Sequence, residues 1–229
     1  MNLLAFDTST EFLSIAIARG EELFSFDTLA GQSHSQLILP EIQKLLTSAN
    51  MQLMDLNGLV FGAGPGSFTG VRIAAGVAQG LAFGANLQVT GVCTLMALAQ
   101  ASGADKVIAC LDARMGEVYH AAYVRENGVW QTVCEPGLYK PDAVPAIAGT
   151  DWVGAGSGWQ TYAEILAAKY DAQLTQVLPQ LLPQAHAMIE LAQTIFASGQ
   201  ALNAADAMPI YIRNRVALKT AEREQGLRL

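Results

Sequence analysis

The chain is poor in charge and short of the residues that most catalytic and metal sites need. Of 229 residues only 14% are Asp, Glu, Lys or Arg, and there are three cysteines and three histidines. Cys93, Cys110 and Cys134 are odd in number, form no C-x-x-C pair and sit among apolar residues. That excludes a disulfide framework and predicts buried, reduced thiols. His34, His120 and His186 fall on different predicted elements, and neither H-x-x-x-H nor H-E-x-x-H occurs, so no metal site is expected. No G-x-S-x-G elbow is present, which removes the usual serine-hydrolase signature. No uninterrupted run of 18 apolar residues occurs, so no membrane-crossing helix is expected. The opening "MNLLAFDTSTE" has no basic stretch and meets Asp7 at once, so it is not read as a signal peptide, and a cytoplasmic setting is expected.

What is present is 52% apolar residues and a net charge of −7. This composition suits a compact α/β protein and is far from disorder. An acidic chain repels a phosphate backbone, which speaks against stand-alone binding of tRNA or DNA. The chain's end is a local exception: Arg213, Arg215, Lys219, Arg223 and Arg228 place five of the thirteen basic residues in the last seventeen positions.

The hydrophobic pattern predicts a duplication. "NLLAFDTS", "FLSIAIARG" and "EELFSFDT" read as an antiparallel meander. "SHSQLILPEIQKLLTSAN" follows with apolar residues at helical spacing. Then come a strand "LNGLVFGAG", a Gly- and Ala-rich helix over 71–83, a strand "LQVTGV" and a helix "TLMALAQA". The pattern begins again in "VIACLDARMGEVYHAAYVRENGVWQTV", where Asp112 answers Asp7, and "VGAGSGW" answers "FGAGPGS". Each half reads β-β-β-α-β-α, the second closing on "PQAHAMIELAQTIFASG". Two α/β halves are therefore expected, 1–103 and 104–206, with the tail 207–229 returning to the first half as a strand-like turn and a helix.

The densest motif is "GAGPGSFTGVR", Gly62 to Arg72, between a strand and a helix. Walker A fails, because no lysine occurs between Lys44 and Lys106; the G-x-G-x-x-G fingerprint fails at Ser67 and Thr69. What remains is a loop whose backbone N–H groups suit an anion: Gly64, Gly66 and Gly70 for the turn, Ser67 and Thr69 for hydroxyls and caps, Arg72 for charge. The same glycines equally suit tight turns and close helix packing. Asp7 and Asp112 each end a first strand and read either as paired cleft carboxylates or as turn residues.

The motifs "GPGSFTGVRIAAGVAQGLA", "LDARMGEVY" and "PIYIR", with "LLAFDTSTEFLSIAI" and "HSQLILPEIQKLL", resemble the bacterial TsaB family, also called YeaZ, over essentially the whole chain. The resemblance implies a duplicated actin-like, ribonuclease H-like fold. It implies a subunit without catalysis or cofactor of its own, needed for threonylcarbamoylation of the adenosine next to the anticodon of tRNAs reading codons that begin with A. Its partners would be TsaD, the catalytic paralogue, bound as a heterodimer, and the ATPase TsaE through the complex. It would self-associate when TsaD is absent, and tRNA would reach it only indirectly. TsaD-type proteins carry an H-x-x-x-H metal pair where this chain has Thr94 and Leu98, and neither side chain can replace a histidine ligand. The partner surface is expected on two helices, with Leu37, Ile38 and Leu45 on the first and Val71, Ala74, Ala75, Ala78 and Ala82 on the second. Two other readings stand beside this one: an independent ATPase or phosphotransferase using Asp7, and a peptidase, which lacks both metal ligands and a nucleophile–base pair in the sequence.

Overall fold

The computed structural model describes residues 1–213. β1 (Asn2–Asp7), β2 (Phe12–Arg19) and β3 (Glu22–Leu29) form the antiparallel meander. α1 (His34–Ser48) leads to β4 (Gly58–Gly64), which lies parallel to β1. α2 (Phe68–Ala85) then leads to β5 (Gln88–Cys93), parallel to β4, and α3 (Thr94–Ala101) follows. The sheet order is β3-β2-β1-β4-β5. The second half repeats it with β6 (Lys106–Asp112), β7 (Val118–Glu126), β8 (Val129–Tyr139), β9 (Trp152–Ala155) and β10 (Leu174–Leu178), in the order β10-β9-β6-β7-β8. α4 (Gly158–Thr161) and α5 (Ala163–Tyr170) precede β10, and α6 (Ala185–Ala197) follows it. Two five-stranded mixed sheets of identical order make this a duplicated actin-like α/β fold.

The central strands are buried on both faces, which is why β1 and β4 read as near-continuous apolar runs rather than alternating ones. Edge strand β3 does alternate, with Phe24 and Phe26 packed on the core. On one face of the first sheet, Leu4, Phe6, Ile15, Ile17, Leu59 and Phe61 meet α1 and α2. Ser67 caps α2 by accepting from the Gly70 N–H, so the helix starts three residues before the predicted 71–83, and Asn86 in the left-handed region ends it. "WQTYAEILAAKY" breaks at Tyr162 into α4 and α5. "PIYIR" forms no strand, and the helix expected after it lies outside the described residues.

The last helix of each half packs on the other half's sheet. Met188, Ile189 and Ala192 of α6 bury against Leu3, Ala5, Ala16 and Val60 of the first sheet, and Phe196 covers Gly58. The Ala185 N–H that opens α6 donates to Ser14 Oγ at 2.8 Å. Conversely, Leu95, Leu98 and Ala99 of α3 pack with Val107, Ala109 and Ala121 of the second sheet. By packing, α6 covers the first sheet and α3 the second. The chain then pairs Leu202 with Val89 beside β5, and Ala207 is buried against α2.

Met188 is fully buried in this exchanged layer. Met188→Ala is expected to lower the unfolding free energy by about 2–5 kcal/mol, measured by urea denaturation followed by circular dichroism; an unchanged midpoint would refute the exchange.

Candidate functional site

The Gly-rich loop between β4 and α2 is pressed against the turn that joins β1 to β2. A Cβ on Gly66 would run into the Ser9 carbonyl, and a Cβ on Gly70 into the Thr8 carbonyl. Hydrogen bonds stitch the two segments together: Thr8 Oγ1 donates to the Gly70 carbonyl at 2.7 Å, and the Ser67 N–H donates to the Ser9 carbonyl at 2.6 Å. The Val71 N–H donates to the Ser67 carbonyl at 2.9 Å. Gly64 takes φ +101°, open to glycine alone. These glycines therefore admit another stretch of backbone. Three amides of the expected anion cradle, those of Ser67, Gly70 and Val71, are satisfied inside the protein.

Asp7 does not reach solvent. Its Oδ1 accepts from the Ser9 N–H at 2.8 Å and from Ser9 Oγ at 2.7 Å. Its Oδ2 lies over Gly62 and has no partner among the described residues. Burial pushes its pKa from 3.8 up to about 6, against the lowering effect of the two Ser9 bonds. Asp112 differs: it lines the cleft between the halves and accepts from the Arg114 N–H at 2.9 Å and from Arg114 Nη1 at 3.2 Å. The two aspartates correspond in the duplication, but they do not face each other across the cleft.

That cleft has a volume of about 960 Å³. Its first-half wall is the Ser9–Phe12 turn with the start of α2, and its second-half wall is Leu111–Met115. Ile210–Arg213 run along one side. Two arginines span the halves or tie down this segment: Arg114 pairs with Glu11, and Arg213 pairs with Glu117 at 2.9 Å and donates to the Ala113 carbonyl at 2.9 Å. Arg114 and Met115 both take positive φ, at 61° and 57°, a strained turn that presents Arg114 to the first half. On the lip, the Arg72 guanidinium lies 3.5 Å from the Phe68 ring centre, and its Nε donates to the Tyr211 hydroxyl at 2.8 Å. Arg72 thus points at two aromatic rings, away from the cradle assigned to it. Sequence reasoning passed over Phe68 and Tyr211; the available signal was an aromatic inside "GSFTGVR" and another inside "PIYIR".

The residues expected on a partner surface are placed mostly in the core. Ile38, Leu45, Val71, Ala74, Ala75, Ala78 and Ala82 are all buried, and Leu37 is partly buried against the same cluster. The alanines are small because α2 lies close on its own sheet. The outward face of α2 carries Gly76, Gly80 and Gly84 at four-residue spacing, with Phe83 85% exposed nearby. A Cβ on any of these three glycines would meet nothing within 4 Å among the described residues. Thr94 and Leu98 are fully buried in the layer beneath the second sheet, where neither residue type provides a metal site.

A duplicated actin-like protein whose glycine-rich loop is pressed against its own β1–β2 turn defines the class. The family model described as "tRNA N6-adenosine threonylcarbamoyltransferase" (TsaD) matches residues 27–218. The chain is 42% identical to the tRNA threonylcarbamoyladenosine biosynthesis protein TsaB of Escherichia coli (strain K12), over 96% of this chain and 97% of that one. It is 37% identical to the protein of the same name from Haemophilus influenzae, over 96% of each. A solved structure described as "YeaZ from Pseudomonas aeruginosa" superposes with a TM-score of 0.82 at 36% identity, covering 92% of this chain and 99% of that one. Another, described as an uncharacterized protein with similarity to peptidase YEAZ from the same organism, has a TM-score of 0.86 at 37% identity, covering 93% and 99%. The chain belongs to the TsaB (YeaZ) family of tRNA threonylcarbamoyladenosine biosynthesis proteins.

Folded Asp7 holds its proton up to about pH 6, whereas unfolded Asp7 releases it near 3.8. Wild-type stability therefore falls as pH rises between these values and levels off above them. Asp7→Asn cannot ionise, so it should gain up to about 3 kcal/mol on wild type between pH 4 and pH 7. Unfolding at both pH values measures this, and a pH-independent difference would contradict the buried charge. Gly70→Ala is expected to destabilise the chain by more than about 1 kcal/mol, because the new methyl meets backbone rather than a flexible side chain; thermal unfolding checks it.

Proposed function

We propose that the chain is a non-catalytic subunit that docks on TsaD as a heterodimer and, with TsaE, supports threonylcarbamoylation of the adenosine beside the anticodon. The observation that carries this reading is the packing of the loop: Gly66 and Gly70 admit the β1–β2 turn, whose Ser9 carbonyl takes the Ser67 amide that a phosphate would use. Thr94 and Leu98, standing where the resemblance puts the paralogue's histidine pair, support it too. The chain needs no cofactor in this role, works in the cytoplasm, meets tRNA through its partner, and pairs with itself when TsaD is missing.

The docking face is the outward side of α2 and the adjoining exposed part of α1. Glycine in a helix interior costs about 0.5–1 kcal/mol relative to alanine, and three occur on one face where packing among the described residues does not require them. A partner helix would use the room they leave. The phosphotransferase alternative is disfavoured by the burial of Asp7. The peptidase label attached to a related structure finds no support either. Cys134 Sγ lies 4.0 Å from His120 Nδ1, but burial raises the thiol's pKa and lowers that of His120 to about 4, leaving neither group activated.

Gly80→Glu should leave the monomer folded and abolish the heterodimer in light scattering, whereas Ala78→Glu should unfold the monomer by burying a charge. Gly76→Ala should raise the monomer's stability by about 0.5–1 kcal/mol. Omitting the chain from a reconstituted assay with TsaD, TsaE and the adenylate-forming enzyme should collapse transfer to tRNA; undiminished transfer would overturn the proposal.

A further inference from the structure

We infer that the Phe68–Arg72–Tyr211 cluster on the cleft lip is a contact for an unpaired base and its phosphate in single-stranded RNA, an inference that rests on the tRNA-modification reading above. Phe68 is the first residue of α2, and Tyr211 lies 143 positions later in the segment along the cleft. The fold brings their ring centres to 6.1 Å. Tyr211 is held there from both sides, by the neighbouring Ile210 N–H donating to the Ala63 carbonyl at 2.7 Å and by Arg72 Nε donating to its hydroxyl. Yet the rings stay 40% and 47% exposed. Two ordered, half-exposed aromatic faces are costly to leave in water and offer stacking surface to a planar ligand.

Arg72 supplies the second half of the recognition chemistry. Its guanidinium is oriented by Phe68 and Tyr211, forms no ion pair among the described residues, and keeps its terminal nitrogens unbonded there. A planar cation with unused donors between two π-faces matches a phosphate with an adjoining base. The base must be unpaired, because ring faces inside a duplex are already stacked.

Charge favours RNA over an uncharged segment at this place. Residues 1–213 carry nine Lys and Arg against eighteen Asp and Glu. Two of those nine, Arg114 and Arg213, line the cleft and are paired there with Glu11, Asp112 and Glu117, whereas Arg72 on its lip has no ion pair among the described residues. Arg72 is thus a cation left unneutralised among the described residues beside the aromatic pair, and it suits an anionic ligand there. The contact adds direct recognition to an encounter that the catalytic partner dominates, and stacking of this kind is tolerant of base identity.

The test uses the purified complex of this chain with TsaD and a fluorescently labelled anticodon stem-loop, read by anisotropy. Phe68→Ala and Tyr211→Ala should each weaken RNA binding about 5- to 150-fold, the range for one stacked base. Tyr211→Phe, which keeps the ring, should retain most of the affinity. Light scattering on the same samples should show the heterodimer intact. Unchanged RNA affinity in both alanine variants would overturn the inference. So would loss of the heterodimer, which would assign the rings to a protein partner. If the wild-type complex needs this chain for transfer but its RNA affinity ignores these rings, this inference fails and the subunit role survives; if transfer never needs the chain, that role fails by itself.

Discussion

Gly66 and Gly70 lie so close to the carbonyls of Ser9 and Thr8 that neither position has room for a Cβ, and much of the site follows from this. With no side chain at either glycine, the start of α2 drops against the end of β1. The Ser67 amide then bonds the Ser9 carbonyl, and Ser67 Oγ caps the helix. The same contact seals Asp7 behind Ser9 and Gly62, where its carboxyl keeps a proton beyond the usual carboxylate range. It also sets the position from which Phe68 and Arg72 leave the loop. One steric condition thus closes a hollow on the inside of the motif and displays a cation and a ring on its outside.

This arrangement separates two properties that a glycine-rich strand–turn–helix usually combines. Glycine serves anion cradles because amides must point inward without obstruction. Here the obstruction is the protein's own turn, and the charge that would complete a cradle is turned outward onto aromatics. The strand–turn–helix architecture is kept, while its glycines face backbone of the same chain. The proposed role, surface rather than turnover, is compatible with a family whose members are named for tRNA threonylcarbamoyladenosine biosynthesis.

The duplicated strand order was legible from sequence because buried parallel strands and helical spacing leave strong local patterns, and Asp7 and Asp112 marked equivalent strand ends. The family was legible in "GPGSFTGVR" and "DARMGEVY". What stayed hidden depends on contacts distant in sequence. The alanines of α2 look like an exposed small-residue stripe when read alone; only the sheet beneath shows that they face inward and that Gly76, Gly80 and Gly84 face out. The meeting of Phe68 with Tyr211, and of Arg213 with Glu117, joins segments about a hundred residues or more apart. Nor does periodicity say which sheet a helix will cover: α6 follows the second half in sequence and completes the first in space.

The exchange of α3 and α6 has a consequence for the chain as it is made. The face of the first sheet formed by Leu3, Ala5, Ala16 and Val60 has its cover more than a hundred residues downstream, in Met188, Ile189 and Ala192. At about 5–20 residues per second, that face waits roughly 5–20 s after β5 is synthesised before α6 exists. The N-terminal half therefore cannot mature as an independent unit behind the ribosome. Its last layer arrives with the C-terminal part of the protein, so the two halves reach their native state together, and a chain that stops before residue 185 carries an uncovered apolar sheet.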